Sequence, residues 1–337
     1  MQEHDFDPNA LATWLGRNVT RAHGPMQLTR ISGGQSNPTY FVTFPERALV
    51  LRKQPIGDLL PSAHAVDREF RIMRALRETD VPVPKAVIYC DDKSVIGTPF
   101  YVMDKLEGRI LSNYALPEIP AAQKAAFFKE IAQILAKLHC VDWQAAGLAD
   151  YGKPGNYFAR QIARWSRQWV ASKQEENADV ERLITWLPNN IPQGDATTIV
   201  HGDFRFGNMM FHPSEPRIIG VLDWELSTLG HPLADLAFSA MAWELPPSVF
   251  DGLRGLNLPA LGVPSQREFI DTYQTACGAQ FGDVKPFHMA FSMFRFAVIL
   301  EGVRARAAMG NASSGNAAEV GAQAKAFARR AVELING

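Results

Sequence analysis

Two textures of hydrophobic patterning divide the chain. Over roughly the first hundred positions the apolar residues come in short runs. "MQLTRIS", "TYFVTF" and "ALVLRK" are rich in β-branched and aromatic residues and are separated by Gly, Pro and Glu-Arg turns. That pattern predicts three antiparallel strands. Ahead of them Asp7-Pro8 sets a helix start, with an acceptor at the cap and Pro at the first helical position before "ALATWLG". After them Ser62 precedes "AVDREFRIMRALRET", where Val66, Phe70, Met73 and Leu76 recur at helical spacing until "VPVP" ends the run. "KAVIYC" and "TPFYVMDKL" then read as two further strands.

Beyond Gly108 the period is helical. Helices are predicted over 118–140, 157–172, 178–186, 232–244, 266–277, 286–308 and 316–335. The exceptions are "TTIVHGD", "NMMFH" and "RIIGVLDW", which read as short strands and loops, and "GNASSGN" at 310–316, which reads as a flexible linker. There is no internal repeat. The expectation is an α+β protein of two lobes, a small antiparallel β-lobe over residues 1–106 and a larger, mainly helical lobe over 107–337, meeting at a hinge.

The totals narrow the function classes. At 337 residues, 47% hydrophobic and 20% charged, the chain can bury a large core and is not a disordered tail. A formal net charge of −1 argues against nucleic-acid or membrane-surface binding through bulk positive charge. The start of the chain is acidic where a secretory signal would be basic, and "FAVIL" is flanked by Arg295 and Glu301, so no membrane span is expected. Cys90, Cys140 and Cys277 have no paired spacing, and read as small core residues in a reduced, cytoplasmic compartment. Monomer and homodimer both remain open.

The chemistry concentrates in "IVHGDFRFGNMMFHPSEPRIIGVLDWE", where polar residues interrupt segments that otherwise read as buried. Asp203 and Asn208 stand in a D-x-x-x-x-N spacing, and Asp223 ends a strand shortly after. This is the layout of phosphoryl transfer, which asks for a carboxylate to take or orient a hydroxyl proton and for oxygen ligands to Mg²⁺. Each residue alone fits an ordinary turn or cap. Together, at this spacing, they favour the chemical reading.

"HGDFRFGNMMF" followed by "VLDWELSTLGHPLADLA" resembles the aminoglycoside phosphotransferase family, kinase-like enzymes that include antibiotic, choline and homoserine kinases. Within it the likeness is to the branch related to the kinase-like region fused to certain acyl-CoA dehydrogenases. The resemblance runs from "ISGGQSNPTYFV" to the last helices. It implies a bilobal protein-kinase-like fold that uses ATP and Mg²⁺, with Asp203 as catalytic base and Asn208 and Asp223 as metal ligands. His201 would brace the loop and Asp235 would pin its backbone. Arg205 could reach a phosphate or the acceptor, or pair with a buried carboxylate; Glu225 could support the site or face solvent. Relatives often read "GDP" where this chain has Gly230-His231-Pro232, which leaves the role of His231 open.

On the nucleotide side, Gly33, Gly34 and Ser36 lie between two predicted strands, where glycine amides and a hydroxyl can approach phosphates; a plain hairpin turn has the same composition. Strand alternation puts Val50 and Arg52 on one face and Leu51 and Lys53 on the other. The resemblance makes Arg52 the counterpart of the phosphate-pairing lysine and Glu69 its helix partner. Lys53 is the fallback, otherwise an exposed edge charge, and Glu69 otherwise lies on a solvated helix face. "FYVMDKLEG" resembles the segment joining the lobes, with backbone near Met103 to Leu106 meeting adenine.

The acceptor is expected to be a small molecule bearing a hydroxyl. Arg160, Arg164, Arg167 and Lys173, with Trp165 and Trp169, and then Arg295, Arg304 and Arg306, suggest basic and aromatic walls. These suit an acceptor with negative charge and an apolar part, such as a hydroxyacyl thioester or hydroxy acid, better than a polycationic drug; several of these arginines could equally face solvent. The rival readings are a kinase fold that binds nucleotide without turnover, and an antibiotic kinase.

Overall fold

The computed structural model describes residues 4–31, 37–57, 64–278, 280–308 and 317–337. It is bilobal. Helix α1 (Pro8–Asn18) is capped by the Asp7 side chain accepting from the Asn9 amide, with Pro8 in its first turn. Strands β1 (Gln27–Arg30), β2 (Thr39–Phe44) and β3 (Arg47–Lys53) follow, then α2 (Val66–Leu76), β4 (Ala86–Cys90), the single turn α3 (Lys93–Ile96) and β5 (Phe100–Asp104). The strands form one antiparallel sheet in the order β1-β2-β3-β5-β4, so β3 is central. The pairing sets Arg52 opposite Tyr101 and Val50 opposite Met103.

Centrality corrects one expectation. Lys53 is not an exposed edge charge: it is fully buried, and its ammonium meets Asp5 Oδ2 at 2.6 Å beside the Phe6 ring. The segment before α1 covers that face of the sheet, so the pair offsets the cost of burying the charge. Ser62, predicted to open α2, lies outside the described residues; the cap is Ala65, with no side-chain bond.

The second lobe begins with the short strand β6 (Arg109–Ile110), then α4 (Ala121–His139), α5 (Tyr157–Ser172) and α6 (Ala178–Trp186). Three short strands, β7 (Thr198–Val200), β8 (Met209–Phe211) and β9 (Ile218–Val221), carry the polar block, and β10 (Thr228–Gly230) returns to pair with β7. Strand order β6-β8-β9 places the start of the lobe beside that block. Then come α7 (Pro232–Ala240), α8 (Leu258–Leu261), α9 (Gln266–Ala276), α10 (Pro286–Ala308), α11 (Ala317–Ala322) and α12 (Ala324–Asn336). The helix predicted over 232–244 ends its last turn as a 3-10 helix, and the one predicted over 316–335 is two helices meeting at Gln323. The linker expected at 310–316 lies outside the described residues. Cys90 and Cys277 are buried as expected, but Cys140, at the end of α4, is exposed. Among the described residues no helix is long and apolar enough to cross a membrane.

Two helices of the larger lobe start at imidazole caps. His231 Nδ1 accepts from the Leu233 amide at the start of α7, and His288 Nδ1 accepts from the Lys285 amide at the start of α10. The rings stack at 6.1 Å in the core. Burial lowers His231 from 6.5 to about 4 and His288 to about 3. Because the folded state resists protonating them, their contribution is complete above pH 6.5 and is lost as pH falls toward 4. We predict that acidification over this window costs about 3 kcal/mol through His231. His231→Asn keeps a cap acceptor and should shrink that loss by about 1 kcal/mol or more in denaturant titrations at pH 7 and pH 4.5. Identical pH dependence in both proteins would contradict this.

Candidate active site

The loop after β7 owes its shape to side chains that satisfy its backbone from below. Asp235, buried on α7, accepts from the His201 amide at 2.6 Å and the Gly202 amide at 2.9 Å. Burial pushes the Asp235 carboxyl up, but His139, His201 and the Gly202 N–H more than reverse this and hold it below the ordinary range. The Gly202 carbonyl accepts from Arg295 of α10, and the Phe204 carbonyl accepts from Ser239 Oγ at 2.7 Å. Gly202 has φ +87°, and a Cβ there would sit 2.8 Å from the Leu226 carbonyl oxygen, so glycine is required. His201 is fully buried; its Nε2 donates to the Leu222 carbonyl at 2.9 Å, which leaves Nδ1 to accept from the Asp203 amide at 3.1 Å. Both ring nitrogens are thus used to brace the loop.

These bonds bring the predicted residues together. Asn208 Nδ2 donates to the Asp203 backbone oxygen at 2.9 Å and to its Oδ2 at 2.8 Å. The Asn208 carbonyl accepts from the Leu222 amide at 2.8 Å, so Asp223 follows directly from the loop's own partner. Asp223 itself has φ 63°, a left-handed conformation that Asp tolerates better than most residues and that turns the chain sharply at the end of β9. Arg205 Nε donates to both Asp203 oxygens, at 3.1 and 3.2 Å, which settles its pairing on a carboxylate.

Arg52 supplies the link between lobes. Its Nε lies 3.1 Å from Glu69 Oε2, and its Nη2 lies 2.6 Å from Asp223 Oδ1 and 3.3 Å from Glu225 Oε2. Burial works against the cation, but Glu69, Asp223 and Glu225 together hold it charged well above the ordinary arginine range. Glu69 is buried rather than solvated, accepting also from Asn37 Nδ2 at 2.8 Å and the Tyr101 hydroxyl at 3.0 Å. Burial raises its carboxyl, opposed by Arg52, Tyr101 and Asn37. Helix α2 is clamped to the other lobe as well: Arg68 donates to the Tyr151 and Ser227 carbonyls, and Arg71 pairs with Asp150.

Met103 lies half-buried on β5, and Leu106 packs on Gly220 of β9, where a Cβ would come within 2.4 Å of the leucine methyl. Both therefore stand where the lobes join. Gly33, Gly34 and Ser36 lie outside the described residues; Asn37, just after them, ties that end to Glu69 through Nδ2 and accepts through Oδ1 from His64 Nδ1 at 2.9 Å. Sequence reasoning passed over Asn37, Tyr101, His139 and Tyr273, whose partners come from distant segments. The only signal available was a polar group within an apolar run.

Most of the basic residues assigned to acceptor walls have other partners. Arg295 serves the loop, Arg304 pairs with Glu301 and Glu175, and Lys173 with Glu176 and Glu181. Trp165 and Trp169 are core residues. Arg160 donates to the Lys153 carbonyl, while Arg164, Arg167 and Arg306 are exposed. Among the described residues no group of three or more His, Cys, Asp or Glu side chains is arranged to hold a metal. An Asn oxygen with one carboxylate is instead a small, hard-oxygen donor set of the sort Mg²⁺ shares with phosphates and water.

A five-stranded lobe set over a helical lobe, with a carboxylate loop and a cation–carboxylate link at their junction, defines a kinase-fold phosphotransferase. The chain belongs to the phosphotransferase enzyme family APH, whose sequence profile matches residues 27–268. It is 45% identical to mouse acyl-CoA dehydrogenase family member 10 over 326 residues, covering 96% of this chain and 30% of that protein. It is 37% identical to human acyl-CoA dehydrogenase family member 11, covering 93% of this chain and 41% of that protein. The chain thus spans less than half the length of these relatives. The structure of a Ralstonia eutropha protein described as an aminoglycoside phosphotransferase superposes with TM-score 0.87 at 43% identity, covering 98% of both chains. Choline kinase from Cryptosporidium parvum shares the fold, with TM-score 0.68 at 12% identity over 98% of this chain and 97% of that one.

Removing Glu69 strips Arg52 of its most buried partner. Glu69→Ala should destabilise the protein by about 3 kcal/mol, the scale for breaking a buried ion pair from one side. Chemical denaturation measures this, and a loss below about 0.5 kcal/mol would mean that Asp223 and Glu225 suffice for Arg52.

Proposed function

We propose that this protein is an ATP-dependent small-molecule kinase that transfers the γ-phosphoryl group to a hydroxyl of an acceptor, a hydroxyacyl thioester or hydroxy acid. The observation that carries the reading is the convergence of Asp203, Asn208 and Asp223 on one loop system whose last member bonds Arg52 across the lobe junction. In this reading Asp203 receives the acceptor's hydroxyl proton, its carboxylate oriented by Asn208 Nδ2 and Arg205 Nε. The Asn208 side-chain oxygen and Asp223 would hold Mg²⁺, which when bound neutralises charge on the transferring phosphate. Arg52, now on Asp223, has its fork free to exchange that carboxylate for phosphate oxygens while Glu69 keeps the guanidinium in place. Gly33, Gly34 and Ser36 would cover the phosphates, and the backbone from Met103 to Leu106 would meet adenine. ATP use is supported by a fold neighbour, an aminoglycoside phosphotransferase mutant solved with AMP-PNP and hygromycin B at TM-score 0.61 and 15% identity.

The acceptor class rests on the surroundings of Asp203. Arg205 lies over the Phe250 ring at 5.9 Å, and Phe250 packs against Tyr114 at 5.7 Å, which puts a cation and aromatic surface beside the base. Because Arg205 is shared with Asp203, the selectivity of this surface comes from its aromatic face, which suits an acceptor with an apolar chain better than a polycationic drug. The acyl-CoA dehydrogenase names of the longer relatives point to the same acyl chemistry.

A screen of hydroxyl acceptors read out by ADP release should find turnover with hydroxyacyl thioesters or hydroxy acids. Efficient turnover of kanamycin-like amines with none of these acceptors would overturn the acceptor class. Asp203→Ala should retain nucleotide binding and lose turnover by roughly two to four orders of magnitude; unchanged turnover would remove Asp203 from the chemistry.

A further inference from the structure

The segment between α7 and α8 carries a turn with unusual residues at its centre. The Gly252 amide donates to the Val249 carbonyl at 3.1 Å, which closes a four-residue turn over Val249-Phe250-Asp251-Gly252. Both central residues have positive φ, 58° for Phe250 and 50° for Asp251. Turns of this kind ordinarily take Asn or Gly there, and a bulky aromatic residue rarely adopts such a backbone. It persists because the surroundings over-determine it. The Phe250 amide donates to Gln323 Oε1 at 3.0 Å, from the junction of α11 and α12. Just beyond the turn, the Leu253 and Arg254 amides donate to the Ala242 and Leu245 carbonyls, both at 2.8 Å. The Phe250 ring packs against Phe296 at 5.0 Å and against Phe327 and Tyr114, each at 5.7 Å. It also meets the Arg205 guanidinium, 5.9 Å from its centroid, and Arg205 Nε holds Asp203. Phe327 behind it is fully buried, whereas Phe250 is only half-buried.

We infer that Phe250 is a specificity-determining residue of the acceptor site. Its ring is the wall against which the acceptor's apolar chain lies, and Gln323 is the positioning residue that keeps the ring there. The inference deepens the function proposed above and rests on that reading for where the acceptor's hydroxyl goes. A ring that only filled the core could be carried by an unstrained residue. Here the turn fixes it where the aromatic cluster meets the side chain that holds Asp203. Because Arg205 is committed to Asp203, the ring beside it is left to meet an uncharged part of the acceptor. Gln323 acts through the Phe250 amide: with that bond lost, a donor goes unanswered and the strained turn is free to relax.

Binding of straight-chain fatty acids, which lack an acceptor hydroxyl, tests the wall without turnover. Butanoate, hexanoate and octanoate are titrated calorimetrically into the parent, Phe250→Ala, Gln323→Leu and Gln323→Glu. The parent should gain about 5-fold or more in affinity for each two carbons added, as methylenes are buried on the ring. Phe250→Ala and Gln323→Leu should cut that gain to about 2-fold or less. Gln323→Glu keeps an oxygen for the Phe250 amide and should retain the parent's gain. No gain in the parent, an undiminished gain in Phe250→Ala, or equal losses in the two Gln323 variants would overturn the inference. A lowered thermal midpoint with the gain intact would leave the ring as core packing and overturn it too. The ADP-release screen separates the wall from the proposed function. Chain-length selection lost in Phe250→Ala, with no acyl acceptor phosphorylated, would sink that function and leave the wall standing. Phosphorylation of acyl acceptors with one chain preference in all four proteins would overturn the wall alone.

Discussion

A buried guanidinium must be answered by carboxylates, and much of this molecule is arranged to answer one. Arg52 leaves a central strand, meets Glu69 from the helix beside the sheet, and reaches Asp223 and Glu225 from the far lobe. Neither lobe alone satisfies it. The requirement that three chain segments meet at one cation sets the approach of the lobes, the tilt of α2 and the placement of the turn after β9. Asn37 and Tyr101 complete the arrangement by saturating Glu69, so the carboxylate cannot drift from its partner.

The opposite side of the junction is built on the same logic with backbone groups in place of a cation. Asp235, Arg295 and Ser239 each hold one part of the loop that carries Asp203, and the imidazole of His201 ties the loop to the residue before Asp223. The polar residues that interrupt an apolar run are affordable because nearly every one has a partner inside the molecule. The carboxylates at the centre are committed as well, Asp203 to Arg205 and Asn208, and Asp223 to Arg52, so in the proposed function nucleotide and acceptor would have to exchange with these bonds.

How much of this could be read from the chain alone follows the range of the interaction. Local signals worked. The helical period gave α5 and α10 to the residue, strand composition gave the sheet, and Asp7-Pro8 gave the first cap. The spacing of Asp203, Asn208 and Asp223 was legible because loop chemistry fixes it in sequence. Partnerships across the fold were not. Lys53 looked like an edge charge because alternation tells which face a residue takes but not that the segment around Asp5 will cover it. The basic stretch on α5 and α10 looked like a pocket wall, yet Arg295 and Arg304 are consumed by the Gly202 carbonyl and by Glu301, partners that spacing does not announce. Cys140 was expected in the core and ends a helix at the surface.

Asp223 closes the Arg52 link and, in the proposed function, also serves a metal–nucleotide site. Titrating the parent and Asp223→Ala with the non-hydrolysable analogue AMP-PNP, each with and without Mg²⁺, separates the two roles. Mg²⁺ should tighten binding to the parent by an order of magnitude or more, about 1.4 kcal/mol, and leave the Asp223→Ala affinity unchanged. An equal gain from Mg²⁺ in both proteins would contradict it, because the ion would then be held without Asp223.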